Sequence, residues 1–225
     1  MKKSTIFAPF YYVHNFEDKE EMSQRYVKPI LRYHRRRKIL IPFGWQGKLH
    51  STFESNILPR IKGINWNMLQ NNYSEQIGNF LQAEGIRCSG YNIENMWLNC
   101  YGKDDFQEIH THNQQGQLFS AIHFLKFDPE KHAPTIFVND NESYTQFIMK
   151  EEILKLRSGC HNTYYSHQYV PEINEGDFLI FPSSLPHFVP RQTTKEVRLT
   201  IAMNVRLFLN DIEECDNCSD TSMVW

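Results

Sequence analysis

No stretch of the 225-residue chain approaches the ~20 consecutive apolar residues of a membrane-spanning helix. Charge of neither sign dominates: the formal net charge is −2, so no global electrostatic case exists for nucleic acid or a membrane surface. The one local exception, "HRRRK" at His34 to Lys38, fits a solvated helix end, where cations complement the helix dipole. Cysteine is sparse and unpaired in pattern. The five residues, at 88, 100, 160, 215 and 218, are odd in number and scattered, which excludes a regular disulfide framework. A single CxxC, Cys215 to Cys218, has no second pair and no nearby histidine pair, and so makes no zinc-binding set. There is no internal repeat and no low-complexity segment. The opening "MKKSTIFAPFYYV" has two lysines, but Pro9 interrupts its apolar run and no cleavage pattern follows. The expectation is a cytoplasmic protein with reduced thiols.

What is abundant is aromatic: 14% of residues, with 16 Phe and 11 Tyr, which leans towards a β-rich core. A chain of this length can bury most of its apolar surface without staples. Residues 5–13 have the texture of a strand, and 17–37 carry a charged helical pattern interrupted at Pro29. Residues 66–84 place Trp66, Leu69, Tyr73, Ile77, Phe80 and Leu81 at helical spacing, and Gly85 stops the pattern. After Gly85 the texture changes to short aromatic or β-branched runs: "MWLNCY", "FQEIHTHN", "LFSAIHFLKF", "TIFVND", "DFLIFP", "HFVPR" and "VRLTIAMNVRLFL". Turn-forming segments separate them, with one helical insert at 144–156. Helices first and many short strands after them predict a mainly β, α+β chain. Its core is a double-stranded β-helix of the jelly-roll or cupin-like kind, with N-terminal helices packed outside. The organisation expected is one domain over 1–225. Residues 1–90 support the core, 91–209 form it, and 210–225 are an acidic tail.

Three elements carry chemistry. Side chains two apart on a strand share a face, so "QEIHTHN" at 107–113 turns His110 and His112 the same way. Two such imidazoles can chelate a divalent metal, and imidazole alone does not choose between Fe, Zn, Cu and Ni. The pair equally suits a polar, half-exposed strand. "GDFLIFPSSLPHFVPR" at 176–191 then presents His187 just after a proline-flanked turn. Finally, in "VRLTIAMN" at 197–204, Arg198, Thr200, Ala202 and Asn204 share one face. An arginine inside so apolar a strand is costly without an anion to pair with. Its planar fork matches a carboxylate, and the Thr200 hydroxyl can add a donor. The plainer alternative is an edge-strand surface ion pair.

Taken in chain order, these pieces resemble the 2-oxoglutarate- and Fe(II)-dependent oxygenases, in particular the small family of bacterial and phage genomes. The resemblance covers about Met96 to Val205 and rests on "MWLNCYGKDDFQEIHTH", "LFSAIHFL", "GDFLIFPSSLPHFVP" and "VRLTIAMNV". It implies a dioxygenase that couples oxidative decarboxylation of 2-oxoglutarate, with release of succinate and CO2, to hydroxylation of an unidentified substrate. It implies Fe(II), 2-oxoglutarate and O2 as the cofactor and cosubstrates. His110, His112 and His187 would take the metal positions. Arg198, assisted by Thr200, would bind the far carboxylate of 2-oxoglutarate, and Asn99 and Ser120 would line its pocket. His112 departs from the common pattern, which has aspartate there, and Glu108, Asp104 and Asp105 are carboxylates near enough to serve instead. Two other readings stay open: a metal-dependent jelly-roll enzyme without 2-oxoglutarate, such as a three-histidine dioxygenase or an isomerase, and a non-enzymatic jelly-roll binding protein. The partner expected is a small-molecule or peptide substrate, with nucleic acid not favoured. The polar, aromatic segment 157–169 is a candidate lid or an ordinary surface excursion.

Overall fold

The computed structural model of the protein describes residues 10–16, 19–37, 41–53, 58, 61–112, 114–139 and 168–208. Short β-prone runs can bury an apolar face only against another layer. Here they do so in two antiparallel sheets that make a jelly-roll core. The larger sheet runs in the order β1 (Tyr12–Asn15), β8 (Asp177–Pro182), β5 (Gln117–Lys126), β10 (Arg198–Phe208), β3 (Gly90–Tyr101), β2 (His50–Ser51). The smaller runs β4 (Gln107–His110), β9 (His187–Val189), β6 (Ile136–Val138), β7 (Gln168–Tyr169). Among the described residues no helix is long and apolar enough to cross a membrane. The helical insert at 144–156, nearly all of the 157–169 segment, Cys215 to Cys218 and the tail lie outside the described residues.

The helix read from its periodicity is α3 (Trp66–Ala83). The Asn65 side chain caps it by accepting from the Met68 N–H, and Gly85 ends it in the left-handed conformation at φ +66°. Leu69, Tyr73, Ile77, Phe80 and Leu81 form its buried face. Each stabilises by about 2 kcal/mol. They pack against Phe178 and Ile180 of β8 and Leu199, Ile201, Met203 and Val205 of β10. Both faces of β10 are therefore covered, one by α3 and one by the interior between the sheets.

Two local expectations need correction. The N-terminal helical run is not broken at Pro29: α1 (Lys19–Met22) passes through a π-helical segment, Ser23–Val27, straight into α2 (Lys28–Arg37). A proline ring clashes with the carbonyl four residues back, and the wider turn just before it relieves that clash. The strand carrying the two histidines ends at His110, so His112 lies beyond β4. It is held there by its own N–H, donated to the Ser183 carbonyl at 2.9 Å. The two-residue strands β2 and β7 had no signal long enough to read.

One buried group outside the cavity sets an acid limit on stability. His123 is fully buried, with Nδ1 2.7 Å from the Tyr73 hydroxyl. Burial pushes its pKa down to about 3, with the nearby His14 adding to the effect. An unfolded histidine titrates near 6.5. Below that pH the unfolded chain takes up a proton that the folded chain refuses, down to about pH 3. Stability therefore falls as pH falls through this window, by up to about 1.4 kcal/mol per pH unit for this one group. Urea unfolding at pH 7 and pH 5 is expected to show a shallower loss for His123→Gln, which keeps a partner for Tyr73 and cannot titrate. An unchanged loss would remove His123 from the account.

Candidate active site

The cavity between the sheets is closed at one end by three imidazoles. His110 and His187 face each other across the β4–β9 pairing, with ring centroids 4.2 Å apart. His112 completes the group, 5.1 Å from His110 and 5.3 Å from His187. One nitrogen of each ring lies within 4.8 Å of the others. The remaining nitrogens are all spoken for. His110 Nδ1 lies 2.9 Å from the Glu108 carbonyl, His187 Nδ1 lies 3.0 Å from the Leu185 carbonyl, and His112 Nδ1 lies 2.7 Å from Asn204 Oδ1. All three partners accept, so each ring carries its proton on Nδ1 and presents a bare Nε2 inwards. The Nε2 of His112 is buried and has no partner at all. Burial lowers the pKa of all three, with His112 brought to about 4. Three neutral, pre-aimed imidazoles could hold a divalent transition metal.

The ring of His112 is fixed by a polar chain that begins on other strands. Asn204, which accepts from His112, also accepts from the Ser120 hydroxyl at 3.1 Å, and Ser120 meets Ser183 at 2.9 Å. Trp97 stacks on the opposite side of the imidazole at 5.7 Å. A bulge places these groups together. Between Ala202 and Asn204 one residue of β10 faces two of β3, and Asn95 takes up the extra length at φ +49°.

At the other end of the cavity, Arg198 is 1% exposed. Its guanidinium donates to Thr135 Oγ1 at 2.9 Å and lies over the rings of Tyr101, Phe124 and Phe127 at 4.7, 5.3 and 5.7 Å. Its Nε has no partner. Among the described residues no carboxylate comes within ion-pair distance of it. Burial lowers the guanidinium pKa, while Tyr101 opposes the shift, and arginine stays charged regardless. A buried, unpaired cation flanked by donors calls for an anion. The space between it and the histidines is also lined by Thr200, Asn99 and Ser120.

The expected site residues thus converge, though not all in the roles expected. His110, His112 and His187 gather at one end, and Arg198 and Thr200 line the other. Asn99 lies on the cavity wall, but its amide, oriented to satisfy its neighbours, donates to Ser51 Oγ at 2.7 Å and accepts from Trp97 Nε1 at 3.3 Å. Ser120 lines the cavity as expected, and its hydroxyl also donates to Asn204. No carboxylate joins the imidazoles among the described residues. Glu108 accepts from the Gln46 N–H at 2.9 Å, Asp105 from the Gly102 N–H at 2.8 Å, and Asp104 sits in the preceding turn at φ +67°. Reading by alternation missed Gln107. It stands three residues before His110, a spacing that puts them on opposite faces of a regular strand, and an irregular register brings it round. Its Oε1 accepts from Tyr101 Oη at 2.6 Å and its Nε2 lies 3.3 Å from His110 Nε2. Thr135, in the loop before β6, gave no signal.

The fold and this pair of poles agree with the resemblance to the 2-oxoglutarate- and Fe(II)-dependent oxygenases read from the sequence. Within that class, residues 95–204 match the family described as "Putative 2OG-Fe(II) oxygenase"; the match spans the core and leaves out the N-terminal helices. No curated protein matches the sequence. The chain is similar in structure to a prolyl-4-hydroxylase from Pseudomonas putida, at 11% identity and TM-score 0.57, covering 89% of this chain and 93% of that one. It is also similar to the non-heme alpha ketoglutarate dependent carbocyclase SnoK from nogalamycin biosynthesis, at 12% identity and TM-score 0.57, covering 88% and 79%. HygX from Streptomyces hygroscopicus, solved with nickel and 2-oxoglutarate bound, matches at 14% identity and TM-score 0.50, over 87% and 82%. At these identities the likeness is one of fold.

Proposed function

We propose that the protein is a hydroxylase in which His110, His112 and His187 hold Fe(II) through Nε2, and Arg198 with Thr200 binds the far carboxylate of 2-oxoglutarate. When bound, the iron supplies the oxygen chemistry that couples decarboxylation of the oxo acid to oxidation of a C–H bond. The chain's own residues do the rest. The three Nδ1–H bonds fix ring orientation before any metal arrives, which second-shell partners ordinarily achieve in metal sites. Arg198 orients the oxo acid along the cavity, offering a charge-assisted pair that Thr135 and the aromatic rings hold in place. Gln107, its oxygen pinned by Tyr101, keeps an N–H aimed at the region of His110 Nε2, where it can donate to an oxygen ligand. Trp97 and Phe181 pack against the imidazoles and keep bulk water from that end. The N-terminal helices serve as the outer support of a single catalytic unit. The free thiols Cys88 and Cys100 suit a cytoplasmic setting.

The observation that carries this reading is Arg198: a fully buried guanidinium with no carboxylate partner among the described residues, sharing one cavity with three imidazoles whose Nε2 atoms carry no proton. It favours 2-oxoglutarate over a three-histidine enzyme that uses no oxo acid, since such an enzyme has no need of the cation. Anaerobic loading with Fe(II), followed by exposure to oxygen and 2-oxoglutarate, is expected to yield succinate. A protein that takes up no Fe(II), or that consumes oxygen without forming succinate, would overturn it.

A further inference from the structure

The second face of the histidine cluster opens into another cleft, lined in part by residues that the first cavity does not use. Its walls include Trp45, Phe53 and Trp97, arranged as a run of touching rings: Trp45 to Phe53 at 5.3 Å, and Phe53 to Trp97 at 5.1 Å edge-to-face. His110 and His112 form its floor. Among the residues lining it, Glu108 alone carries a charge, and no lysine or arginine does.

The setting of Glu108 is specific. A surface glutamate ordinarily reaches into water. This one is folded back so that the Gln46 N–H donates to Oε1 at 2.9 Å. Its Oε2 is shielded from solvent and has no hydrogen-bond partner, and no cation lies within ion-pair distance among the described residues. The niche exists because residue 47 is glycine: a Cβ there would lie 2.3 Å from Oε2 and 3.0 Å from the Phe106 carbonyl. The conformation of Gly47 is one any residue can adopt, so the glycine serves space rather than backbone freedom. A carboxylate oxygen withdrawn from water without a partner is unfavourable. The negative charge of Glu108 acts across the cleft wall in favour of a cation bound there, and the faces of Trp and Phe favour the same charge.

We infer that this cleft binds an organic cation, a substrate bearing an alkylammonium or guanidinium group. The cation is held by Glu108 and the Trp45–Phe53–Trp97 wall, so that a C–H bond near the cation lies over the metal position. This assignment of substrate class rests on the oxygenase reading above. The cation can be carried on a free metabolite or on a peptide side chain; the shared element is the charge.

Ligand-observed NMR provides a readout apart from turnover. The protein is loaded with Zn(II), which is diamagnetic and inert to oxygen, with and without 2-oxoglutarate. It is then titrated at constant ionic strength with n-butylammonium, n-butylguanidinium, neutral 1-pentanol and pentanoate. Both cations are expected to bind at least about tenfold more tightly than the alcohol, with pentanoate weakest. Glu108→Gln, which preserves the bond from Gln46, is expected to abolish that preference, and Trp45→Leu to weaken binding of the cations more than that of pentanol. Equal affinity for cation and alcohol, or a preference for pentanoate, would overturn the assignment. So would a preference unchanged in Glu108→Gln. The 2-oxoglutarate resonances in the same samples separate the two readings. Cation selectivity without 2-oxoglutarate binding leaves the cleft assignment standing and removes the cosubstrate. Binding of 2-oxoglutarate without cation selectivity does the reverse.

Discussion

Arg198→Met is expected to remove most of the stabilisation by 2-oxoglutarate while leaving the ligand-free protein about as stable as before. Two terms oppose each other in the free protein. Holding an unpaired cation out of water carries a penalty of several kcal/mol. Stacking on Tyr101, Phe124 and Phe127 and the bond to Thr135 return about 1–2 kcal/mol each. The sum is small, and methionine keeps most of the volume, so the change without ligand is expected to stay within about 1 kcal/mol. With ligand the balance differs. Truncating one partner of a buried, hydrogen-bonded charge pair costs about 2–5 kcal/mol, a fall in affinity of roughly 30- to several-thousand-fold. Thermal unfolding of the metal-loaded protein with increasing 2-oxoglutarate is the measurement. Wild type at a hundred times its Kd is expected to gain about 2.7 kcal/mol, and Arg198→Met less than about 0.9 kcal/mol at the same concentration. A full ligand-induced shift in the variant would remove Arg198 from the cosubstrate site. A large loss of stability in the free protein would show instead that the arginine is chiefly structural.

His187→Ala is expected to reduce metal affinity at least about a hundredfold. On the proposed reading the residue supplies one of three donors, and it stands opposite His110 in the β4–β9 ladder. Two imidazoles cannot close one face of an octahedral ion, and the third position would fall to water. Asn204→Leu tests the supporting shell separately. It leaves all three donors in place and removes only the acceptor that keeps the proton of His112 on Nδ1. The expected loss is about 10- to 100-fold, intermediate between wild type and His187→Ala. Competition against a metallochromic chelator reads both, and near-native circular dichroism separates ligand loss from unfolding. Equal metal affinity in all three proteins would end the three-histidine assignment.

What was legible in the sequence follows from how each element is buried. In β10, Leu199, Ile201 and Met203 pack on α3 while Arg198, Thr200, Ala202 and Asn204 line the interior. Strict alternation therefore read correctly: a strand covered on both sides by different chemistries records both. The α3 face and its Gly85 stop were legible because the cap and the periodicity agree. Alternation failed where the backbone departs from regular pairing. The irregular register between Gln107 and His110 turned Gln107 inwards, and His112 reached the cluster from beyond the end of its strand. The bulge at Asn95 cannot be read from side-chain pattern, since any strand residue might host it. At Pro29 the rule that proline breaks helices was overridden by a π turn immediately upstream. Thr135 and Gly47 act through loops, where only the three-dimensional neighbour reveals the purpose.

The two poles of the cosubstrate cavity stand on different sheets. Arg198 opens β10 of the larger sheet, while His110 and His187 belong to the smaller. Both strands are paired antiparallel within their sheets, and the Tyr101–Gln107 bond links the strand beside the arginine to the strand that carries His110. The separation between cation and metal position is therefore a fixed length, set by the jelly roll and not by any flexible side chain. Such a frame works as a ruler. If the oxo acid binds as proposed, this frame is expected to favour the five-carbon oxo diacid over the four-carbon one, and competition between the two in the thermal-unfolding measurement checks it.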